Sequence, residues 1–273
     1  MKLKDKIVLV TGGGTGIGKA VVKMLVREGA AVIINGVDFV KTDVNQYENK
    51  NIGGFTAAKN LAAELKQAGH EAMAIEADIT DASQIEAMVA QVIQTYGRLD
   101  ILVHVAGIII QKFANETTEE EWDSIINTNL KGAFLMNKAV IDRMQEQQFG
   151  RIVNFSSMAG KNTFAGLSAY AASKWGVLGF TGCLAKEVAH DNITVNCICP
   201  GIVGTQMWTA LSSTLSILGV GETPEEAYEN YVAEVIPQGV PQTLEDIAEG
   251  VLYLITAPHV TGIALSIDGG VSM

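Results

Sequence analysis

The 273-residue chain has little with which to hold a metal or to cross-link itself. Its three cysteines, Cys183, Cys197 and Cys199, and four histidines, His70, His104, His190 and His259, show no CxxC, HxxxH or HExxH spacing. That pattern argues against a zinc site and a disulfide framework, so no metal is expected and the cysteines read as buried apolar filler. Cations are also scarce: 19 Lys and Arg face 30 Asp and Glu, and no basic stripe breaks the formal charge of −11. Phosphate backbones and anionic membranes need clustered cations, so neither a nucleic acid nor a membrane is an expected partner. Long apolar runs are missing as well. The N-terminal run Ile7 to Val10 is four residues long, too short for a signal-peptide core or a membrane span, and the chain reads as cytoplasmic. With no repeat, low-complexity tract or Pro/Ser-rich linker, residues 1–273 read as one domain.

What is present is an alternation of two patterns. Short, nearly continuous apolar runs recur at Lys6 to Val10, Ala31 to Ile34, Glu71 to Ala77, Ile101 to Val105, Arg151 to Phe155, Thr194 to Ile198 and Ile263 to Ile267. Runs of this kind suit strands buried on both faces of a parallel sheet. Between them, helical spacing marks Gly18 to Glu28, Thr56 to Ala68, Ala82 to Tyr96, Glu119 to Gln147, Tyr170 to His190 and Leu244 to Leu254. Asp81 and Thr118 stand where N-caps belong, and Gly69 and Gly97 where left-handed helix ends belong. The whole predicts an α/β fold, a doubly wound and mainly parallel Rossmann-like sheet flanked by helices. Two stretches exceed ordinary connections: a loop insertion at about 36–54 and, at about 204–238, a segment read as a substrate lid.

Two constellations carry chemistry. Thr11-Gly12-Gly13-Gly14-Thr15-Gly16-Ile17-Gly18 follows the first strand and opens a helix, so backbone N–H groups and the helix dipole face whatever anion lies there. In a first strand-turn-helix unit, that turn points to a dinucleotide. The second constellation is Ser157, Tyr170 and Lys174. Tyr170 and Lys174 are four apart at a helix start, which places phenol and ammonium on one face. A tyrosine's pKa near 10 must fall by roughly three units to serve near neutrality, about 4 kcal/mol of differential stabilisation, and a lysine cation has the right sign. Ser157 ends the fifth strand at its carboxyl edge, where ligands of open α/β sheets bind. Taken singly, each residue has an ordinary structural role: a core helix start, a solvated lysine, a polar turn.

Taken together, TGGGTGIG, Ser157 thirteen residues before Tyr170-Ala-Ala-Ser-Lys174, Asn129 in TNLKGAF, Pro200-Gly201 and a closing IDGG resemble the short-chain dehydrogenase/reductase family over nearly the whole chain. The resemblance implies Tyr170 as general acid/base, Lys174 as its pKa modifier and ribose ligand, Ser157 polarising the carbonyl and Asn129 holding a relay water. It implies that Gly12, Thr15, Gly16, Ile17 and Gly18 line the pyrophosphate side, Asp78 and Ile79 the adenine, and Ala106 and Gly107 the ribose. Pro200, Gly201, Val203 and Thr205 would close over the nicotinamide. The family's usual Asn-Asn-Ala-Gly is His104-Val105-Ala106-Gly107 here, and His104 reads as a packed strand-end residue rather than a catalyst.

For the cofactor, NAD-using relatives end the second strand on an acid, a position held here by Gly36, with Val37 and Asp38 next. NADP users place a cation at the position of Val37 or Thr15, and neither is basic. NAD is therefore favoured over NADP, with Asp38 as ribose ligand, although Asp38 reads equally as a solvated loop carboxylate and Lys41 could reverse the preference. Ile108, Ile109, Ile110, Met158, Phe164, Met207, Trp208, Tyr228 and Tyr231 could wall an apolar pocket. The expected substrate is a small secondary alcohol, polyol, diol or cyclic alcohol and its ketone. The alternatives are a 3-oxoacyl thioester reductase, disfavoured for an acidic carrier by Glu222, Glu225, Glu226 and Glu229, or a non-catalytic dinucleotide sensor. The resemblance also implies a homotetramer.

Overall fold

The computed structural model describes residues 1–38, 54–205, 208, 212, 215–216 and 219–272. Its seven strands form one parallel sheet in the order β3-β2-β1-β4-β5-β6-β7. They are β1 (Ile7–Thr11), β2 (Ala31–Gly36), β3 (Ala72–Glu76), β4 (Ile101–His104), β5 (Gly150–Phe155), β6 (Ile193–Pro200) and β7 (Ala264–Ile267). Each coincides with a predicted run, with ends shifted by a residue or two; β6 runs two residues further, to Pro200, and so carries the chain up to the cleft. The chain winds outward from β1 to β3, then returns to add β4 on the other side of β1. That reversal opens a crevice at the carboxyl ends of β1 and β4.

Side chains on successive strand residues leave opposite faces of the sheet, and the core divides accordingly. Val8, Val10, Val32, Ile34 and Val103 pack with α1 (Gly16–Arg27), α2 (Phe55–Gln67) and α8 (Leu244–Thr256). Leu9, Ile33, Leu102 and Ile152 pack with α3 (Ala82–Tyr96) and α5 (Gly132–Glu146). Full burial of a side chain such as Leu9 is worth about 1.5–3 kcal/mol, and both layers are built of such residues. The runs Ile7-Val8-Leu9-Val10, Val32-Ile33-Ile34 and Ile101-Leu102-Val103, all β-branched residues or leucine, are what a sheet covered on both faces requires.

Helix ends follow the local chemistry read from the sequence. Asp81 accepts from the Ser83 and Gln84 N–H groups at the start of α3, and Gly97 ends that helix at φ +75°. Thr118 forms a capping box with Glu121 at the start of α4 (Glu119–Ile125). The helix expected over Glu119 to Gln147 is continuous but not uniform: a π turn, Ile126–Lys131, joins α4 to α5. The helix expected from Tyr170 begins two residues earlier, as α6 (Ser168–Glu187), and a short 3-10 turn, Ala189–Asp191, completes it. Within the lid segment, α7 (Pro224–Val235) starts on the Thr223 N-cap. Residues 39–53 of the insertion, Lys41 among them, lie outside the described residues, as does Met207. Of the cysteines, Cys197 and Cys199 are buried as expected, whereas Cys183 is exposed.

Candidate active site

A cleft of about 740 Å³ opens over the carboxyl ends of the central strands. The glycine-rich turn forms its floor. Gly12 adopts φ +62°, and a Cβ there would lie 3.0 Å from Ala106 Cα, so only glycine lets the first and fourth strand ends meet. Gly16, at φ +50°, begins α1, and no acidic residue stands in that helix's first turn. The unpaired N–H groups of α1 therefore meet no internal carboxylate, and a diphosphate lying on the turn supplies the charge they lack. The cradle fits a dinucleotide.

At the other end, β5 and α6 bring Ser157, Tyr170 and Lys174 to one wall. Ser157 begins a 3-10 turn, and its Oγ accepts from the Ala159 N–H at 3.1 Å, which leaves the hydroxyl proton to donate. Lys174 Nζ donates to the Phe155 carbonyl at 3.0 Å and sits 5.5 Å from the centroid of the Tyr170 ring. Burial pushes the Lys174 ammonium down to about 8, against a smaller upward pull from Cys197 and Cys199. Asn129 lies in the π turn. Its Oδ1 accepts from the Ile108 N–H at 2.8 Å, while its Nδ2 donates to the Ile108 carbonyl at 2.8 Å and to Ser173 Oγ at 3.1 Å. A Cβ on Gly107 would lie 3.0 Å from Asn129 Oδ1 and 3.4 Å from Lys174 Nζ, so both groups flank that glycine.

The predicted cofactor residues Gly12, Thr15, Gly16, Ile17, Gly18, Ile79, Ala106, Gly107, Pro200, Gly201, Val203 and Thr205 line this same cleft. Three expected residues are placed otherwise. Asn129 is buried behind the wall, touching the site through Ile108 and Ser173. Asp38 does not face the cleft: its carboxylate accepts from the Thr56 N–H at 3.1 Å and the Thr56 hydroxyl at 2.9 Å. The first turn of α2 draws that charge to itself. Asp78 likewise accepts from the N–H and hydroxyl of Thr80 at 2.8 Å, while its neighbours Ala77 and Ile79 reach the wall. His104 is packed as expected, with Nδ1 2.9 Å from Thr11 Oγ1. Burial, reinforced by the charge of Lys174, pushes it down to about 3, so it is neutral near pH 7.

Sequence reasoning missed several wall residues. Lys19, Asn60 and Glu64 line the cleft where α1 faces α2, Glu64 paired with Lys23 at 3.0 Å. The outward face of a helix after a glycine turn carries no sequence mark of what it faces. Gln111 and Leu215 were also missed. Beyond Tyr170, Ile108, Ile109, Met158, Trp208 and Tyr231 stand in the wall as expected, with Leu167 beside them. Phe164 and Tyr228 pack on that cluster, and Trp208 lies 6.1 Å from Tyr228 and 5.9 Å from Tyr231, ring to ring. Among the described residues no group of His, Cys, Asp and Glu gathers in a way that could hold a metal, and no helix is long and apolar enough to cross a membrane.

Comparison with known proteins locates this geometry. A family profile described as short chain dehydrogenase matches residues 6–216. A 3-oxoacyl-acyl-carrier-protein reductase of Thermotoga maritima is 36% identical over 272 residues, 99% of each chain. A subunit of a hydroxy(phenyl)methylsuccinyl-CoA dehydrogenase from Thauera aromatica is 34% identical over 275 residues, 100% of this chain and 99% of its own. Among solved structures, a variant of actinorhodin polyketide ketoreductase with NADPH superposes with a TM-score of 0.88 at 34% identity, covering 100% of this chain and 98% of that one.

Proposed function

The chain belongs to the short-chain dehydrogenase/reductase family and is an NAD(P)-dependent oxidoreductase; from that premise we propose that it reduces the 3-keto group of a thioester-linked 3-oxoacyl substrate with NADPH. The observation that carries this reading is the wall beyond Tyr170, where Ile109, Met158, Leu167, Trp208 and Leu215 offer an acyl chain apolar contact. A polyol would bury several hydroxyls there with few partners, at about 1–3 kcal/mol for each left unpaired. This weighs against the polyol expected from the sequence. The full-length likeness to a reductase named for 3-oxoacyl groups supports the same choice.

In this reading Tyr170 donates the proton to the ketone oxygen while Ser157 donates a hydrogen bond to it. Lys174 favours the phenolate left on Tyr170. Asn129 fixes Ile108 and, through Ser173, the backbone carbonyl of Tyr170, and so holds the acid in register with the wall. The nicotinamide supplies the hydride. For the choice of nicotinamide, Asp38, bonded to Thr56, gives NAD little support as a ribose ligand. Lys19 lines the cleft near Thr15, where a 2′-phosphate needs a cation. The NADPH held by the polyketide ketoreductase supports the same preference.

One observation favours a second reading, reduction of a ketone free of any carrier. Glu225 and Glu226 stand in the first turn of α7, with Glu222 and Glu229 close in sequence, and an acidic carrier protein would meet like charge there. A small-molecule substrate and a cytoplasmic setting suit both readings, and neither calls for a nucleic acid or a membrane. A homotetramer is proposed through α5 and α6, where Phe134 and Trp175 are about half exposed and Phe134 meets Phe180 edge to face at 6.1 Å. Sedimentation yielding a monomer would refute it.

The test is to follow reduced nicotinamide with NADPH and NADH against acetoacetyl thioesters, cyclic ketones and, in reverse, polyols, with Tyr170→Phe as control. Preferential thioester reduction with NADPH, lost in Tyr170→Phe, is expected. Turnover of polyols or free ketones with the thioesters untouched overturns the proposal.

A further inference from the structure

Among the described residues lining the cleft, one side-chain atom is buried without a hydrogen-bond partner: Oε1 of Gln111. Its position is fixed from both sides. Upstream, the Ile108 N–H is held by Asn129 and Ile109 packs against Tyr170. Downstream, the Lys112 N–H donates to the Gly166 carbonyl at 2.9 Å. Gln111 stands two residues outward from Ile109, a reach of at most about 7 Å along the chain. An acceptor in an otherwise apolar wall, two residues along the chain from the side chain packed on Tyr170, calls for a donor on the substrate.

We propose that Gln111 Oε1 accepts a hydrogen bond from the first amide N–H of the substrate's pantetheine arm, which makes Gln111 a specificity residue for thioesters over simple ketones. The inference rests on the thioester reading above. In such a substrate that nitrogen is six bonds from the carbon that is reduced, on the order of 7 Å when extended. The amide is common to carrier-bound and coenzyme A thioesters, so the contact serves either source. It also gives the apolar cleft what burial alone does not: a fixed register of the 3-keto group against Tyr170.

The experiment compares two small substrates, acetoacetyl N-acetylcysteamine thioester, which has the amide, and the S-butyl thioester, which lacks it, with kcat and KM measured separately. For the unaltered enzyme, kcat/KM is expected to favour the amide substrate about tenfold. In Gln111→Met the ratio should fall to near one, mainly through KM for the amide substrate, and Gln111→Glu, which keeps an acceptor, should retain it. Gln111→Leu replaces the Met variant should that one fail to fold. Reduction of both thioesters at an unchanged ratio in Gln111→Met or Gln111→Leu overturns the inference alone. Failure of the unaltered enzyme to reduce either thioester, while it reduces a simple ketone, overturns the thioester reading and this inference with it. Separate runs with the coenzyme A and carrier-protein forms distinguish the two sources of the arm.

Discussion

Replacing Lys174 with methionine should make the protein more stable and much less active. The ammonium is buried and donates to the Phe155 carbonyl, and burial depresses it from 10.5 to about 8. Between those values the unfolded chain holds more protons than the folded one, so the folded state bears a penalty that is fully present below pH 8 and disappears as pH rises through 10.5. The shift corresponds to about 3 kcal/mol. Losing the donor to Phe155 returns about 1 kcal/mol, leaving a net gain of about 2 kcal/mol at pH 7. For a chain of this size that raises Tm by about 4–8 °C, and the gain should vanish above about pH 10. Activity moves the other way. A unit charge 5.5 Å from the Tyr170 ring, at an effective dielectric of about 20, stabilises a phenolate by about 3 kcal/mol, roughly two orders of magnitude in kcat/KM. Scanning calorimetry at pH 7 and pH 10, together with steady-state kinetics on the same preparation, checks both halves. A variant that melts lower at pH 7, or that retains more than a tenth of the activity, refutes the reasoning.

Three other outcomes are expected. Reductive kcat/KM should decline as pH rises through about 8, where Lys174 loses its proton, and a profile flat to pH 10 would contradict this. Gly12→Val, placing a side chain at φ +62° against Ala106, should abolish nicotinamide binding in a fluorescence titration while the far-ultraviolet circular dichroism stays native; unchanged affinity would remove the turn from the binding site. Met136→Ala, at a fully buried position in the layer beneath the sheet, should cost about 2–5 kcal/mol, read from urea unfolding. A loss under 1 kcal/mol would mean that the layer collapses around the gap.

Strand positions were legible because two-sided burial leaves an uninterrupted apolar run, as at Ile7 to Val10, that few alternatives mimic. Tyr170 and Lys174 were legible because a four-residue helical spacing fixes a shared face before the fold is known. Asp38 was misplaced for the opposite reason. Its partner Thr56 lies 18 residues away, across a segment whose path no periodicity encodes. Asp78 was drawn to the adenine by resemblance, yet the adjacent Thr80 competes for its carboxylate at short range. Gln111 gave no signal in the sequence because an orphaned acceptor is a property of its surroundings. The π turn was equally hidden, since apolar spacing on either side of it still reads as one helix.

That turn has a consequence for which changes the chain can tolerate. In an α-helix each residue advances the side-chain direction by about 100°, and the wide turn Ile126–Lys131 absorbs one residue more than regular α geometry would, so drawing the same six residues into an α-helix would turn one flank against the other. Either Asn129 would leave Ile108 and Ser173, or Met136, Val140 and Met144, all fully buried, would swing out of the sheet's lower layer. The two halves are phased independently, one to the reaction and one to the core, and the wide turn is the gearing between them. A further insertion there should therefore be far less tolerated than a substitution at a position of the turn other than Asn129.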